Sequence, residues 1–451
     1  MSNETNQALE NTAYALGIQA YVWGYPVVIS EKRSRLGMAS SEEIVPHKLR
    51  GPLNTLVSAK ELLKPDFEDV QSPNNDTLYT TAWLDLSDGP LVYHIPDMAG
   101  RFYTYQFIDA YTNNFYYVSQ RTYGFQEMDF AICGPGWAGQ LPHGVTRIDC
   151  PTPTVFVIGR LGVSGPDDVP AVHALQARMS LVPLKHYGQG EYRPETVKLA
   201  KPARNYDGPL GFFEELGDRI VQNPPPPQDY GLMGLFKEIG LTVDHGFDAD
   251  SLSEPIRRGL KRALKDGEAV IAAKAQSMGY EVNGWQLAPV APEYFGNDYL
   301  YRAAVGWQSM YVNDPIEAYY PGVYADGDGQ TLDGSKHNYV LRFEAGQTPP
   351  VNAFWSTTMY DLEKRLMVAN PINRYSIGDR TPGLQYGDDG SLEIRHLACF
   401  GRADHRQKRL GLSRQYRLHF ADLRLFHVAH VLSGGFGCID RSMDSFLGRI
   451  G

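Results

Sequence analysis

From Thr77 onward the chain runs as short alternating segments separated by turn residues. Thr77–Leu86, Leu91–Ile95, Phe102–Ile108, Phe115–Ser119, Val145–Ile148 and Val155–Gly159 have the period and length of strands. Ser87-Asp88-Gly89-Pro90, Pro96-Asp97-Met98-Ala99-Gly100 and Gly134-Pro135-Gly136 divide them. Parallel neighbours would need crossovers of a dozen or more residues, usually helical. Without helices between these runs, the spacing predicts an antiparallel sandwich or barrel.

Helical patterns lie on either side. Asn11–Ser30 carries no charge, and Ala13, Gly17, Ala20 and Gly24 set a smooth stripe along one face, where another backbone can approach. The segment is long enough to span a bilayer. Its Asn11, Thr12, Gln19, Gly24 and Pro26, and the lack of a basic amino flank, favour a buried packing helix, kinked or ended at Pro26. Further helices are expected at Asp167–Leu184, Leu210–Val221, Tyr230–Ile239, Leu252–Met278 and Asp298–Met310. Strands return at Tyr339–Phe343, Ala353–Tyr360, Tyr375–Ile377 and Leu392–Ile394. The order is strands, helices, strands.

Charge narrows the partners. A net charge of −10 over 451 residues argues against phosphate-backbone recognition, so no nucleic-acid partner is expected. The 28 Tyr against 19 Phe and 6 Trp favour a polar-edged binding surface. Cys133, Cys150, Cys399 and Cys438 form no C-x-x-C pair; buried thiols are favoured over a Cys133–Cys150 disulfide. Arg395–Gly451 stands apart, with ten of the 42 Lys and Arg but four of the 52 acids. It reads as an interaction arm, a disordered end or sequence from a faulty gene prediction.

Familiar motifs fail on context. Gly134-Pro135-Gly136-Trp137-Ala138-Gly139 matches a dinucleotide fingerprint, but Leu141-Pro142 follows where a helix must open. Asp326-Gly327-Asp328-Gly329 places His337 where a calcium loop needs its bidentate Glu, so a hairpin turn is expected. No cofactor and no metal is therefore expected.

Three polar clusters sit at strand ends. The first is Asn74-Asn75-Asp76, which either caps a turn or presents an amide and a carboxylate to a ligand. The second is Arg101, Tyr103 and Tyr105 on one strand face, with Asp109 and Asn113 where that strand ends. The third joins Tyr360 and Asp361 to Arg374. Each also has a structural reading: turn capping, which leads for the first; an Arg–Asp pair for the second; and core packing, the default for Phe354 and Trp355 in the third.

These clusters, with Gly89-Pro90, Leu141-Pro142, Ile158-Gly159-Arg160, Leu341-Arg342-Phe343 and Asn370-Pro371-Ile372, resemble a family that pairs two domains of unknown function. These are twelve-fifty-four in the amino half and twelve-fourteen in the carboxyl half. The resemblance spans roughly residues 10 to 394. It implies an α+β, mainly β fold: two antiparallel jelly-roll-like β-sandwiches with an N-terminal helix and a central helical insertion, assembled into a homo-oligomer. The divisions that follow are an N-terminal helical segment (1–35), a first sandwich (36–190), a helical insertion (191–290), a second sandwich (291–394) and the basic tail (395–451). Relatives are often exported; the acidic start without a leader favours a cytoplasmic location and no membrane partner.

The expected function is hydrolysis or a lyase step on a small polar or aromatic compound. Asp76 and Asp109 are the candidate acid and base, because a carboxyl in a low-dielectric pocket can be tuned towards neutrality. Arg101 would hold an anionic group, and Asn75, Tyr103, Asn113, Tyr360, Asp361 and Arg374 would orient the substrate. The alternative is a non-catalytic oligomer binding a carbohydrate or metabolite on the same tyrosine-rich face.

Overall fold

In the computed structural model the uncharged amino segment is a helix, α1 (Asn3–Ser30), capped by the Ser2 hydroxyl, which accepts the Thr5 N–H at 3.1 Å. The structure describes residues 2–398 except 68–70, 194–195, 198, 200–201, 203, 283, 288–294, 335 and 371; for 397–398, 417–420 and 425–432 it describes the backbone alone. The small-residue stripe of α1 does what its spacing predicts. A methyl group at Gly17 would stand 2.7 Å from Ala263 Cβ, and one at Gly259 would stand 2.3 Å from the Glu10 carbonyl oxygen. Backbones this close leave no room for side chains between them. Pro26 does not end the helix; four more residues follow it, and a π-helical turn at Glu31–Arg35 succeeds them. Burial of Trp23, Tyr25, Val27 and Val28 on both flanks outweighs the one hydrogen bond that proline removes. None of the described helices is long and apolar enough to cross a membrane.

The amino half holds two sheets. β1 (Val57–Ser58), β2 (Thr77–Asp85), β3 (Leu91–Ile95), β4 (Tyr103–Asp109), β5 (Asn114–Ser119), β6 (Met128–Cys133), β7 (Val145–Asp149), β8 (Thr154–Gly162) and β9 (Ser180–Pro183) follow in chain order. They pair as β1-β2-β8-β4-β5 and β7-β6-β3-β9. The first sheet is antiparallel throughout; in the second, β6 and β7 are parallel. Both sheets share one core, bridged by Tyr93 against Tyr105, edge to face at 5.2 Å. Helix α2 (Val169–Arg178) is shorter than expected. Met179 turns extended, and Ser180–Pro183 joins β3 as an edge strand, with Leu181 buried and Ser180 exposed.

Helices α3 (Gly211–Gln222) and α4 (Glu254–Gln276), with a short helix at Tyr230–Phe236, build the insertion against α1; β10 (Leu241–Thr242) and β11 (Gly246–Phe247) form a small hairpin beside α3. α5 (Tyr299–Gln308) packs on α1 and α4.

The carboxyl half contributes β12 (Tyr280–Val282), β13 (Trp285–Leu287), β14 (Ala318–Tyr319), β15 (Gly322–Val323), β16 (Tyr339–Phe343), β17 (Phe354–Asp361), β18 (Ser376–Gly378), β19 (Leu392–Ala398), β20 (Arg417–Phe420) and β21 (Leu425–Leu432). One sheet runs β12-β13-β15-β21-β17-β18, with β14 also on β21; the other runs β16-β19-β20. The fold is thus mixed α+β, with an N-terminal helix and several largely antiparallel sheets. Most of the expected basic tail, 399–416, 421–424 and 433–451, lies outside the described residues.

Two buried joints tie the halves. Glu317 accepts from Ser119 Oγ at 3.1 Å and Thr104 Oγ1 at 3.4 Å, and pairs with Arg121. Asp76 accepts from Ser356 Oγ at 2.5 Å and Ser376 Oγ at 3.1 Å. Cys133 and Cys150 are free, buried thiols.

Candidate functional site

The turn before β2 is built by Asn74, whose Oδ1 accepts from the Asp76 and Thr77 N–H groups at 3.1 Å each and from Thr77 Oγ1 at 2.8 Å. Asn75 turns the other way and donates to the Leu63 carbonyl at 2.6 Å. Asp76 faces the carboxyl half. Burial pushes its carboxyl up, against the opposing pull of the Ser356 and Ser376 hydroxyls and the Arg380 charge. Arg101 grips Asp168 with two bonds of 2.6 and 2.7 Å, and donates to the Gly162 carbonyl at 2.7 Å. That ion pair holds the Asp168 carboxyl below its usual range.

Asp76 and Arg101 therefore share one end of the first sheet, where Thr77 pairs with Gly162 and Tyr103 with Leu161. Asp109 closes the other end, opposite Val155. Six steps along β4 at about 3.3 Å each put it roughly 20 Å away. There it caps its own turn, accepting from the Tyr111 and Asn113 N–H groups at 2.9 and 2.8 Å and from Asn113 Nδ2 at 2.9 Å. The left-handed Thr112 (φ 66°) makes that turn possible. Asn113 in turn accepts from the buried Arg302 at 3.2 Å.

The remaining candidates are similarly engaged. Tyr103 donates to the Gly124 carbonyl at 2.8 Å, and Tyr360 to the Pro73 carbonyl at 2.9 Å. Asp361 accepts from the Glu363 and Lys364 N–H groups at 3.0 and 2.5 Å; Arg374 holds Asn370 through its backbone, at 3.1 and 2.8 Å. These bonds build turns and joints. Asp76, Asp109 and Arg101 do not converge on one void.

A different group does. A partly open pocket of about 200 Å³ lies where β2 and β8 meet the carboxyl half and the end of α4. Tyr79, Ile158 and Arg160 line it from the amino sheet, and Tyr311, Tyr320 and Tyr324 from the other side. Arg160 follows Phe156 and Ile158 on the same face of β8 and is 6% exposed. It donates to Gln106 Oε1 at 2.9 Å, Asn313 Oδ1 at 3.3 Å and the Tyr311 carbonyl at 3.3 Å, and its guanidinium lies 5.6 Å from the centre of the Tyr79 ring. All three acceptors are neutral, and among the described residues no carboxylate comes within 4 Å of it. Arg365, on the same wall, donates to the Gln308 carbonyl at 2.5 Å. No Asp or Glu is among the described lining residues.

A second, more open cleft of about 680 Å³ holds Arg101, Asp168 and Arg380. Arg380 lies over the Phe354 ring and donates to the Asp76 carbonyl at 3.2 Å. No three His, Cys, Asp or Glu side chains converge as a metal site among the described residues.

Comparison with known proteins places the fold. The model described as "Protein of unknown function (DUF1254)" matches residues 53–183, and that described as "Protein of unknown function (DUF1214)" matches 317–398. The two matches stand in the amino and carboxyl halves, the pairing that the sequence resemblance gives. Arg160 and Tyr79 lie in the first match, Tyr320, Tyr324 and Arg365 in the second, and Tyr311 between them, so the pocket straddles the pairing. The crystal structure of the VPA0106 protein from Vibrio parahaemolyticus is similar at TM-score 0.68 and 22% identity, covering 94% of this chain and 98% of that one. An uncharacterized protein from Burkholderia cenocepacia aligns at TM-score 0.39 and 10% identity over 96% and 93% of the two chains. No curated protein matches.

Sequence reasoning singled out Ile158-Gly159-Arg160 only as part of the family resemblance. The usable signal was there: an arginine at the inward register of a strand that is otherwise apolar.

Proposed function

We propose that this chain binds a small organic anion in the Arg160 pocket. The observation that carries this reading is a buried guanidinium whose partners among the described residues are all neutral. A desolvated cation is costly unless an opposite charge joins it. Of the five N–H donors of arginine, the described residues engage three, which leaves Nε and one hydrogen of Nη2. Two remaining donors match in number the two oxygens of a carboxylate.

The polar ends of the nearby tyrosines are turned to the protein. Tyr79 accepts the Asn74 N–H at 3.2 Å, Tyr311 meets Ser30 Oγ at 2.9 Å, and Tyr320 accepts from Asn313 Nδ2 at 2.7 Å. Ring surface is left to face the ligand, which supports an apolar body behind the charged group. This develops the metabolite-binding alternative.

A charge-assisted bond contributes about 1.5–3 kcal/mol, or roughly ten- to hundredfold in affinity. Calorimetry with matched acids and amides should show that preference for the acid, and Arg160→Gln should remove it. Equal binding of acid and amide by the native chain would sink the proposal.

A hydrolase or lyase step is the second reading. It is supported by Asp76, a carboxyl pushed up by burial beside two serine hydroxyls. Asp76→Asn should then abolish turnover while leaving ligand affinity intact. The jelly-roll description of each half, a homo-oligomer and a cytoplasmic setting belong to the same proposal. Light scattering of the purified chain tests the oligomer.

A further inference from the structure

We infer that the anion is a carboxylate carried on a single aromatic ring. This rests on the anion-binding reading and adds the shape of the body behind the charge. The first support is size. A dry cavity of roughly 150 Å³ accommodates benzene, and the pocket here is about 200 Å³. One six-membered ring and its carboxylate match that volume better than two fused rings do.

The second support is the wall. Tyr79, Tyr311 and Tyr320 anchor their hydroxyl oxygens on Asn74, Ser30 and Asn313, which fixes their rings along the lining. Tyr311 is itself fixed against Phe156, with ring centroids 4.6 Å apart, and Phe156 stacks on Trp83 at the same separation. An aromatic wall braced in this way cannot fold around a flexible chain. Planar guests gain from offset or edge-to-face contact, about 0.5–1.5 kcal/mol for each ring pair.

The third support is polarity elsewhere on the lining. Gln71, Gln286, Gln308 and Ser309 line the pocket with neutral donors and acceptors. They suit a hydroxyl or amino substituent on the ring. A hydroxylated or amino-substituted benzoate combines all three features.

The test is calorimetry on the full chain with benzoate, 4-hydroxybenzoate, benzamide, acetate and 2-naphthoate. Benzoate should bind at least tenfold more tightly than acetate and than 2-naphthoate, and 4-hydroxybenzoate at least as tightly as benzoate. Arg160→Gln should lose at least tenfold in benzoate affinity. Because Arg160 also braces Gln106 and Asn313, Gln286→Trp serves as a second variant. Gln286 is an exposed lining residue, so the indole obstructs the pocket without disturbing the core, and benzoate affinity should fall.

Acetate or 2-naphthoate binding as tightly as benzoate would overturn the ring and leave the anion. Benzamide binding as tightly as benzoate would overturn the anion reading itself. No binding by any carboxylate up to roughly 10 mM overturns both.

Discussion

Asp314→Asn should make this protein more stable at neutral pH. Asp314 sits at the joint between the halves. Its Oδ1 accepts from Asn114 Nδ2 at 2.6 Å, and its own N–H donates to the Tyr117 hydroxyl at 2.8 Å. Burial, helped by the Glu317 charge, pushes its carboxyl from 3.8 up to about 6. An acid raised on folding is stabilising to protonate. Its contribution is most favourable below the unfolded value and is lost as pH rises through about 6. At 1.36 kcal/mol per pH unit, the gap amounts to about 3 kcal/mol at pH 8. Asparagine keeps the carbonyl that accepts from Asn114 and never ionises. Urea unfolding of the native chain and the variant, at about pH 4 and about pH 8, isolates this one group. The variant should gain roughly 1–3 kcal/mol at the higher pH, with the gain shrinking towards the lower. A difference that stays constant with pH, or a variant less stable at pH 8, would refute the reasoning.

Gly259→Ala should destabilise the chain by about 1–2 kcal/mol, since overpacking against the Glu10 backbone exceeds the gain in helix propensity. Gly231→Ala, with nothing within 4 Å, should instead be neutral or stabilising by up to about 1 kcal/mol; thermal unfolding separates the two. Asp109→Ala should lower the unfolding midpoint, leaving the Tyr111 and Asn113 N–H groups without their acceptor, at about 1–3 kcal/mol. Carboxylate affinity should be unchanged in Asp109→Ala, because that carboxyl lies at the far end of β4.

Six strands of the amino half, β2–β5, β7 and β8, were legible because each carries its own period and its own turn. Leu91–Ile95 and Tyr339–Phe343 match the expected bounds at both ends. β6 gave no such signal. Phe130, Ala131, Ile132 and Cys133 are buried on both faces, so alternation is absent. The last turns expected of α2 became β9, since pairing with β3 is a tertiary gain that local propensity cannot register.

The site was less legible for a related reason. Asp76, Arg101 and Asp109 attracted notice as charges at strand ends, where turns also need carboxylates and guanidiniums. Period two groups residues along one strand, but β4 begins at Tyr103, so Arg101 lies just ahead of it. The period could not say that Asp109 and Arg101 lie at opposite ends of that strand's sheet and serve different turns. Arg160 becomes conspicuous only when its partners are known to be neutral, and those partners come from three separate segments, at Gln106, Tyr311 and Asn313.

A crystal structure of the chain soaked with benzoate bears most directly on the Arg160 pocket. Density for a ring among Tyr79, Tyr311 and Tyr320, with carboxylate oxygens about 3 Å from Arg160 Nε and Nη2, is the predicted result. An empty Arg160 pocket, with benzoate seated instead beside Arg380 in the open cleft, would contradict it.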